Sequence, residues 1–511
     1  MKILEKMKLG LLPLSALAAS SCGESPSAHP NIIYVFPDQF RNQALAFWNE
    51  DEYNPYVRWT ADPVETPNLD GFASEGVVLS RAMSNCPLSS PYRGIFLTGM
   101  YPERSGVTLN CMSDRPESSL RQDAVCISDV LKAEGYSCGY VGKLHADCPT
   151  RNDPANPGHY VSDAVPEWDA YTPPERRHGF DWWYSYGTFD EHKNPHYWDT
   201  DGVRHDPHEF SMKHETDKAL EFLRNRSGER RPDAPFFLVV AYNPPHSPYS
   251  GPDDCMEEDY ALYKDKSYRQ LYVRPNADTL LSKAPSVRYY FSNVTAVDRE
   301  FGRILKELKA LGLEKNTIVV FTSDHGETMC SHSTPDPKNS IYTESFNVPM
   351  IIRYPEKIRH RVDTTLLASV DIMPTLLSMA GLRESVPCSA EGRDLSPLLM
   401  ETGEECSAPT SVLYLRNVNG ETGPDGKVRG FFPVARGIRT PSHTMEIAIN
   451  RDRSLKSVTI FDDRLDPYQM HPLDYRESPE LFASLLKELK TKLEESDDIW
   501  YRDDIISGLN F

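Results

Sequence analysis

Four short apolar runs constrain this chain more than anything else in it. They are Asn31-Ile32-Ile33-Tyr34-Val35-Phe36, Gly139-Tyr140-Val141, Phe236-Phe237-Leu238-Val239-Val240 and Thr317-Ile318-Val319-Val320-Phe321. Each is near-continuous rather than alternating, the pattern of a strand covered on both faces. Each also hands off to polar residues of ligand type. The first ends at Pro37-Asp38-Gln39 and the second leads to Lys143 and His145. The third leads to Asn243-Pro244-Pro245-His246 and the fourth to Asp324-His325-Gly326-Glu327. One such residue is an ordinary loop residue, but four coincident hand-offs predict an open α/β sheet with a site outside the carboxyl ends of its strands.

The 511 residues exceed what one small domain needs, and predict one large α/β domain plus a smaller one. Hydrophobic content of 39% and a mean hydropathy of −0.52 describe an ordinary core with no second membrane segment. A net charge of −20 argues against nucleic acid or an anionic membrane as partner, so an anionic substrate needs a local basic pocket. Residues 1–21 are expected to be a signal peptide: Lys2, Lys6 and Lys8 precede an apolar run from Leu9 to Ala19, ending Ser20-Ser21-Cys22. That ending is similar to a bacterial lipobox, with lipid expected on Cys22 and residues 22–30 as a tether. The expected location is the periplasm or the outer membrane, with the lipid anchor as the one membrane contact and a soluble periplasmic protein as the alternative. The nine other cysteines show no zinc spacing, and no disulfide framework is expected.

Residues 31–403 are expected to form the large domain and 404–511 the smaller one, with the boundary in Glu401-Thr402-Gly403-Glu404-Glu405. Val370 to Leu377 reads as a helix entry, and Leu395-Ser396-Pro397-Leu398-Leu399 closes the large domain. β-like runs follow at Val412–Leu415, Ala435–Arg439, Thr444–Ile449 and Val458–Phe461. An amphipathic helix then opens at Ser478-Pro479-Glu480, with Leu481, Leu485, Leu486, Leu489 and Leu493 as its apolar residues. Residues 255–290 read as charged, helical and solvated. Residues 150–235 form an insertion rich in Pro, His, Trp and Tyr, notably Phe180 to Gly187 and His196-Tyr197-Trp198-Asp199. Its aromatic faces suit either sugar stacking or internal packing. Asp190, His192, His196 and Arg436 are candidates for sugar contacts.

The stretch from Asn85 to Gly99 carries the chemistry. Ser90-Pro91 signals a helix start, a hydroxyl cap followed by a proline whose missing N–H costs nothing in the first turn. Ser89 is expected just before that start, with Arg93 reaching back toward it, an arrangement that suits an anion. Ser89-x-Pro91-x-Arg93 followed by Leu97-Thr98-Gly99 resembles the signature of the type I sulfatases, members of the alkaline phosphatase superfamily. In that family the first residue, Cys or Ser, is oxidised to formylglycine (3-oxoalanine) by a maturation enzyme. The resemblance extends over most of the chain and identifies it as serine-type; Cys86 lacks the proline and arginine at the right distance. It implies an alkaline-phosphatase-like large mixed sheet flanked by helices, with a C-terminal α+β domain of a short antiparallel sheet and one helix.

Asp38, Gln39, Asp324 and His325 offer hard oxygen ligands and one imidazole, suited to Ca²⁺ or Mg²⁺ and permitting Mn²⁺. By the resemblance these positions hold calcium, with the oxygen of residue 89 completing the shell. Gln39 stands where many members have a second Asp. Glu327 belongs to the same motif as a supporting group. Gly135 to His145 resembles the second sulfatase signature, departing at Cys138. The resemblance implies that Lys143 contacts residue 89 and the sulfate, that His145 hydrogen-bonds a hydroxyl of residue 89, and that His246 and Lys338 bind sulfate. The implied activity is hydrolysis of sulfate esters, most readily on sulfated carbohydrates, with His246 or Lys338 protonating the leaving alcohol. Two alternatives stand beside it: a phosphonate monoester or phosphodiester hydrolase of the same superfamily, and a catalytically silent lipoprotein that binds sulfated glycans.

Overall fold

The computed structural model describes residues 29–149 and 167–511. The expected signal peptide, Cys22, most of the tether and the first part of the aromatic insertion lie outside the described residues. The large sheet has ten strands. At its centre, Thr317–Thr322, Asn31–Val35, Phe236–Ala241, Ser137–Lys143 and Trp182–Tyr186 lie side by side and parallel. Met350–Arg353 and Tyr197–Asp199 add antiparallel neighbours on either side, which makes the sheet mixed. The four apolar runs singled out above are thus four adjacent strands, and their carboxyl ends open at one edge.

Every residue of Asn31–Val35 is buried. Ile32 and Tyr34 enter one core and Ile33 and Val35 the other, as pleating across a two-sided sheet requires. On the first face Phe96 stacks on Tyr34 with ring centroids 4.1 Å apart, and each such side chain contributes about 1.5–3 kcal/mol. Phe96 belongs to the helix Ser89–Thr98, which is buried along its whole length and ends at left-handed Gly99. On the second face lie Ser211–Arg224 and Val287–Ala310. Residues 255–290 depart from expectation. Ahead of the start of Val287–Ala310 they hold two four-residue helices, Glu257–Tyr260 and Tyr268–Leu271, and the segment buries Tyr263, Leu271, Arg274 and Tyr290. Their charges mask apolar anchors spaced too irregularly for a helical stripe.

Helix Ser396–Leu399 precedes a four-stranded antiparallel sheet, Val412–Thr422, Val428–Arg439, His443–Ile449 and Leu455–Asp462. The helix Pro479–Glu495 covers it through Phe482, Leu485, Leu489 and Leu493. The same core takes in Met83, Ile95 and Phe346, so the small sheet packs behind the helix that starts at Ser89. Asn85 joins the two units. Its side chain donates to the Leu413 carbonyl at 2.8 Å and accepts from Val370 N–H at 3.1 Å, and its carbonyl accepts from Leu415 N–H at 2.8 Å.

Candidate active site

Ser89 is the first residue of its helix, one position earlier than the Ser90-Pro91 signal implies. Leu88 is the N-cap and no side chain of the segment caps the helix. Asn110, from a separate loop, accepts from Ser90 N–H at 3.2 Å, and Ser90 Oγ instead accepts from Cys111 N–H at 3.0 Å. A tertiary contact therefore does the work that the local sequence assigns to Ser90, and Ser89 is left for the site. Ser89 Oγ lies 3.0 Å from His325 Nε2 and 3.3 Å from Asp38 Oδ1.

Asp38, Asp324 and His325 bring one ligand atom each within 4.8 Å of one another, all fully buried. Asp324 Oδ1 accepts from the backbone N–H groups of Gln39 at 2.9 Å and His325 at 2.8 Å, while its Oδ2 is buried without a hydrogen-bond partner. His325 Nδ1 donates to the Gly326 carbonyl at 3.0 Å, which leaves the Nε2 lone pair facing the carboxylates. Burial and Lys338 keep that imidazole neutral by pushing its pKa well below the usual value. Burial and the neighbouring Asp38 charge raise the pKa of Asp324. Burial acts on Asp38 in the same direction, but Lys143, His246, Lys338 and Arg93 hold it well below the carboxylate range. The second negative charge of this pair is disfavoured, and a cation between them relieves that. Gln39 adjoins this corner through its backbone N–H on Asp324. Its Nε2 donates to Glu327 and its Oε1 accepts from Lys338 Nζ at 3.1 Å. The donor set, two carboxylates, an amide oxygen and a neutral imidazole, fits a divalent cation of the Ca²⁺, Mg²⁺ or Mn²⁺ kind.

Basic groups surround this corner. Lys143 Nζ is 2.8 Å from Asp38 Oδ2 and donates to Asn243 Oδ1 at 2.9 Å. Gly142 makes this possible: a Cβ there would meet the Ala241 carbonyl oxygen at 2.3 Å and hold the two strands apart. Arg93 Nη2 lies 3.1 Å from Asp38 and 3.5 Å from Asp324, and Nη1 donates to the Lys143 carbonyl. Its guanidinium ties the carboxylates together. Lys338 Nζ is 3.0 Å from His246 Nε2, and burial lowers its pKa. His246 Nδ1 lies 2.8 Å from the Ser247 carbonyl. His145 is neutral for the same reason as His325, burial first and then the Lys143 and Arg93 charges. Its Nε2 donates to the Cys111 carbonyl at 3.3 Å and its Nδ1 has no partner.

A cavity of about 380 Å³ opens over Ser89, with Lys143, His145, His246 and Lys338 in its wall. All ten residues expected at the site therefore meet in one place, from the ends of four strands, one helix start and the loop at 338. The insertion supplies the opposite wall. Asp190 lines the cavity and accepts from Asn243 Nδ2 at 3.3 Å. The other sugar-contact candidates sit elsewhere. His192 is buried against the Asp254 carbonyl, and His196 is buried behind the wall, 2.5 Å from Asp169 Oδ2. Arg436 is buried in the small sheet, 2.9 Å from Asp498. A polar residue type cannot reveal whether its own domain has already paired it. Trp183, Trp198, Tyr184, Tyr186 and Tyr197 are at most 4% exposed and pack on one another and their neighbours. Two aromatics reach the cavity, Phe189, which is half-buried, and Trp168, 41% exposed with its ring 6.0 Å from His145. Nothing local in Glu167-Trp168-Asp169 marks it. Asn243, by contrast, opens a hand-off already visible in the sequence.

The Sulfatase family pattern matches residues 30–382, and the pattern described as N-sulphoglucosamine sulphohydrolase, C-terminal, matches residues 332–498. A protein named Endo-4-O-sulfatase, from Bacteroides thetaiotaomicron, is 54% identical over 501 residues, covering 97% of this chain and 98% of that protein. An Ulvan-active sulfatase from Formosa agariphila is 31% identical over 502 residues, covering 94% of this chain and 84% of that protein. A solved structure described under "Metabolism of multiple glycosaminoglycans by bacteroides thetaiotaomicron is orchestrated by a versatile core genetic locus" superposes with a TM-score of 0.92 at 56% identity, covering 94% of this chain and 99% of that one.

Proposed function

The chain belongs to the sulfatase family, and from that premise we propose that it is an exported enzyme releasing 4-O-sulfate from within glycosaminoglycan chains. In this reading Ser89 is oxidised to formylglycine by a maturation enzyme, and Asp38, Gln39, Asp324 and His325 hold a divalent cation, calcium first. The observation that carries the reading is Ser89 Oγ within 3.3 Å of both Asp38 and His325, at the foot of a cavity walled by Lys143, Lys338, His145 and His246. The finer substrate assignment is supported by the 54% identity to the Endo-4-O-sulfatase along nearly its whole length. Export and a lipid anchor at Cys22 are supported by the leader sequence alone.

A sulfate ester is an anion that repels nucleophiles. The Lys143 and Lys338 ammonium groups offset that charge at the mouth of the site and align the sulfate above residue 89. Asp38, Gln39, Asp324 and His325 would hold a divalent cation, which would supply Lewis acidity to the site. The aldehyde hydrate of formylglycine supplies two hydroxyls where serine has one. His145, held neutral with a free Nδ1, takes a hydroxyl proton at this wall. Lys338 and His246, 3.0 Å apart, share a proton that passes to the departing alcohol oxygen. Arg93 keeps Asp38 and Asp324 in register throughout.

Matured enzyme should release sulfate from 4-O-sulfated glycosaminoglycan oligosaccharides, internal positions included, in preference to 6-O-sulfated ones. A stronger preference for an aryl phosphodiester, or release from chain ends alone, overturns the assignment. Mass spectrometry of the Ser89 peptide should show the loss of two hydrogens, about 2 Da; full turnover with an intact serine excludes the modification. Cys22→Ala should move the protein from the membrane fraction to the soluble one, and continued membrane retention would refute the anchor.

A further inference from the structure

A second cleft, of about 220 Å³, lies between the large domain and the small sheet and shares no lining residue with the Ser89 cavity. Four arginines line it: Arg58 and Arg81 from the large domain, Arg439 and Arg464 from the small one. The acids nearby do not balance them. Asp463 lies 2.8 Å from Arg439, and Asp462 is 3.3 Å from Arg464. Among the described residues Arg58 and Arg81 have no acidic partner within 4.0 Å. Each makes one long hydrogen bond to a carbonyl, Arg58 to Arg464 at 3.5 Å and Arg81 to Thr364 at 3.4 Å. Burial and the neighbouring Arg439 charge make the charged form of Arg81 less favourable. Arg439 Nε is buried with no partner at all. In a chain of net charge −20, this leaves uncompensated cations crowded into one concave place, where an anion would relieve the repulsion.

The rest of the lining narrows the anion's chemistry. Guanidinium forks match the oxygens of sulfate, carboxylate or phosphate groups. Asn347, 4% exposed, has an Oδ1 with no donor, an acceptor for a ligand hydroxyl. Tyr56, 44% exposed at the rim, offers a ring face of the kind on which sugars stack. Thr343 on the cleft wall is five residues from Lys338, hence within about 17 Å of it. We propose that this cleft is a second, non-catalytic site for a sulfated glycan segment, which holds a polymer near the catalytic cavity. The identity of the ligand as a sulfated glycan rests on the function proposed above. Two linked contacts raise the effective concentration of polymer at the catalytic site without changing the chemistry there.

The test uses the full chain carrying Ser89→Ala, so that binding is read without turnover. Its migration is followed in gels containing a 4-O-sulfated glycosaminoglycan or the same polymer chemically desulfated. Adding Arg58→Ala and Arg81→Ala should weaken retention by the sulfated polymer about tenfold, the loss of one or two charge-assisted contacts, and leave the desulfated gel unchanged. In matured enzyme the same pair should raise KM for the polymer and spare hydrolysis of a sulfated disaccharide. Undiminished retention, equal loss in both gels, or a parallel fall on the disaccharide overturns the proposal. Arg58→Glu alone, at an exposed side chain with one weak contact, decides the matter if the double variant misfolds: retention should fall, and retention unchanged is a refutation. Retention is decided even if the enzyme releases no sulfate from any glycan, so the two proposals fail separately.

Discussion

Glu327 determines which way the Gln39 amide points. The Glu327 carboxylate accepts, so the Gln39 NH₂ turns to it and the amide oxygen turns to Lys338 Nζ, 3.1 Å away. Tyr249 donates to the same Glu327 oxygen at 2.9 Å, and Lys283 lies 3.6 Å from the other. The orientation of this amide is therefore set by a buried acid behind it.

Glu327→Gln removes that instruction, since the new amide can donate as well as accept. Affinity for Ca²⁺, measured by calorimetry on the full chain, should fall about tenfold or more, the usual cost of losing a group that orients a ligand. An unaltered affinity would show that Gln39 is oriented without Glu327 or is no ligand.

Asn243 joins Lys143 (2.9 Å) to Asp190 (3.3 Å). Asn243→Ala leaves the Lys143 ammonium to Asp38 alone and frees it to turn toward the carboxylate. We expect kcat/KM for a sulfated oligosaccharide to drop about 10–100-fold, roughly 1.4–2.7 kcal/mol of lost stabilisation, with the melting temperature little changed. A loss confined to stability would assign Asn243 to the fold.

Glu215 is fully buried, accepts from Tyr197 OH at 2.9 Å, and leaves its second oxygen without a partner. Burial raises its pKa to about 8, against the lowering effects of Tyr197 and Arg93. The folded state therefore binds one more proton than the unfolded state between the ordinary glutamate value and about 8. The sign follows: this group's contribution makes stability fall as pH rises through that window, by a few kcal/mol in all. Denaturant titrations of Glu215→Gln should lack that decline; a parallel pH profile in the variant would show that Glu215 ionises normally.

Arg436, a sugar-contact candidate by type, is a structural cation. It is 1% exposed and pairs with Asp498 at 2.9 Å beneath the ring of Trp500. Arg436→Met should lower stability by about 3–5 kcal/mol, the cost of leaving Asp498 buried without its partner, while KM for a small sulfated substrate stays put. A raised KM with unchanged melting would restore the sugar-contact role.

The departures from the sequence reading share a cause. The aromatic segment from Phe180 to Asp199 has the composition of a sugar platform, yet of its rings only Phe189 lines the cavity while Trp183, Tyr184, Tyr186, Tyr197 and Trp198 are consumed by packing, and Trp168 reaches the cavity with no local signal. The Ser90-Pro91 pair correctly marks a helix start, but Asn110, from another loop, supplies the cap. The second cleft is likewise invisible along the chain, because Arg58, Arg81, Arg439 and Arg464 meet only when the small sheet docks on the large domain.

Legible along the chain were the central sheet and the seven residues at its carboxyl edge, Asp38, Gln39, Lys143, His145, His246, Asp324 and His325, with Ser89 and Arg93 on the helix that starts beside them and Lys338 on a nearby loop. Continuous apolar runs require two-sided burial, and the polar residues directly after them have one edge on which to emerge. Tertiary structure alone decided which polar and aromatic side chains were left over to meet a ligand. Local sequence carries the propensity of a residue to be a strand, a cap or a ligand, but whether its polar atoms are already satisfied depends on partners hundreds of positions away.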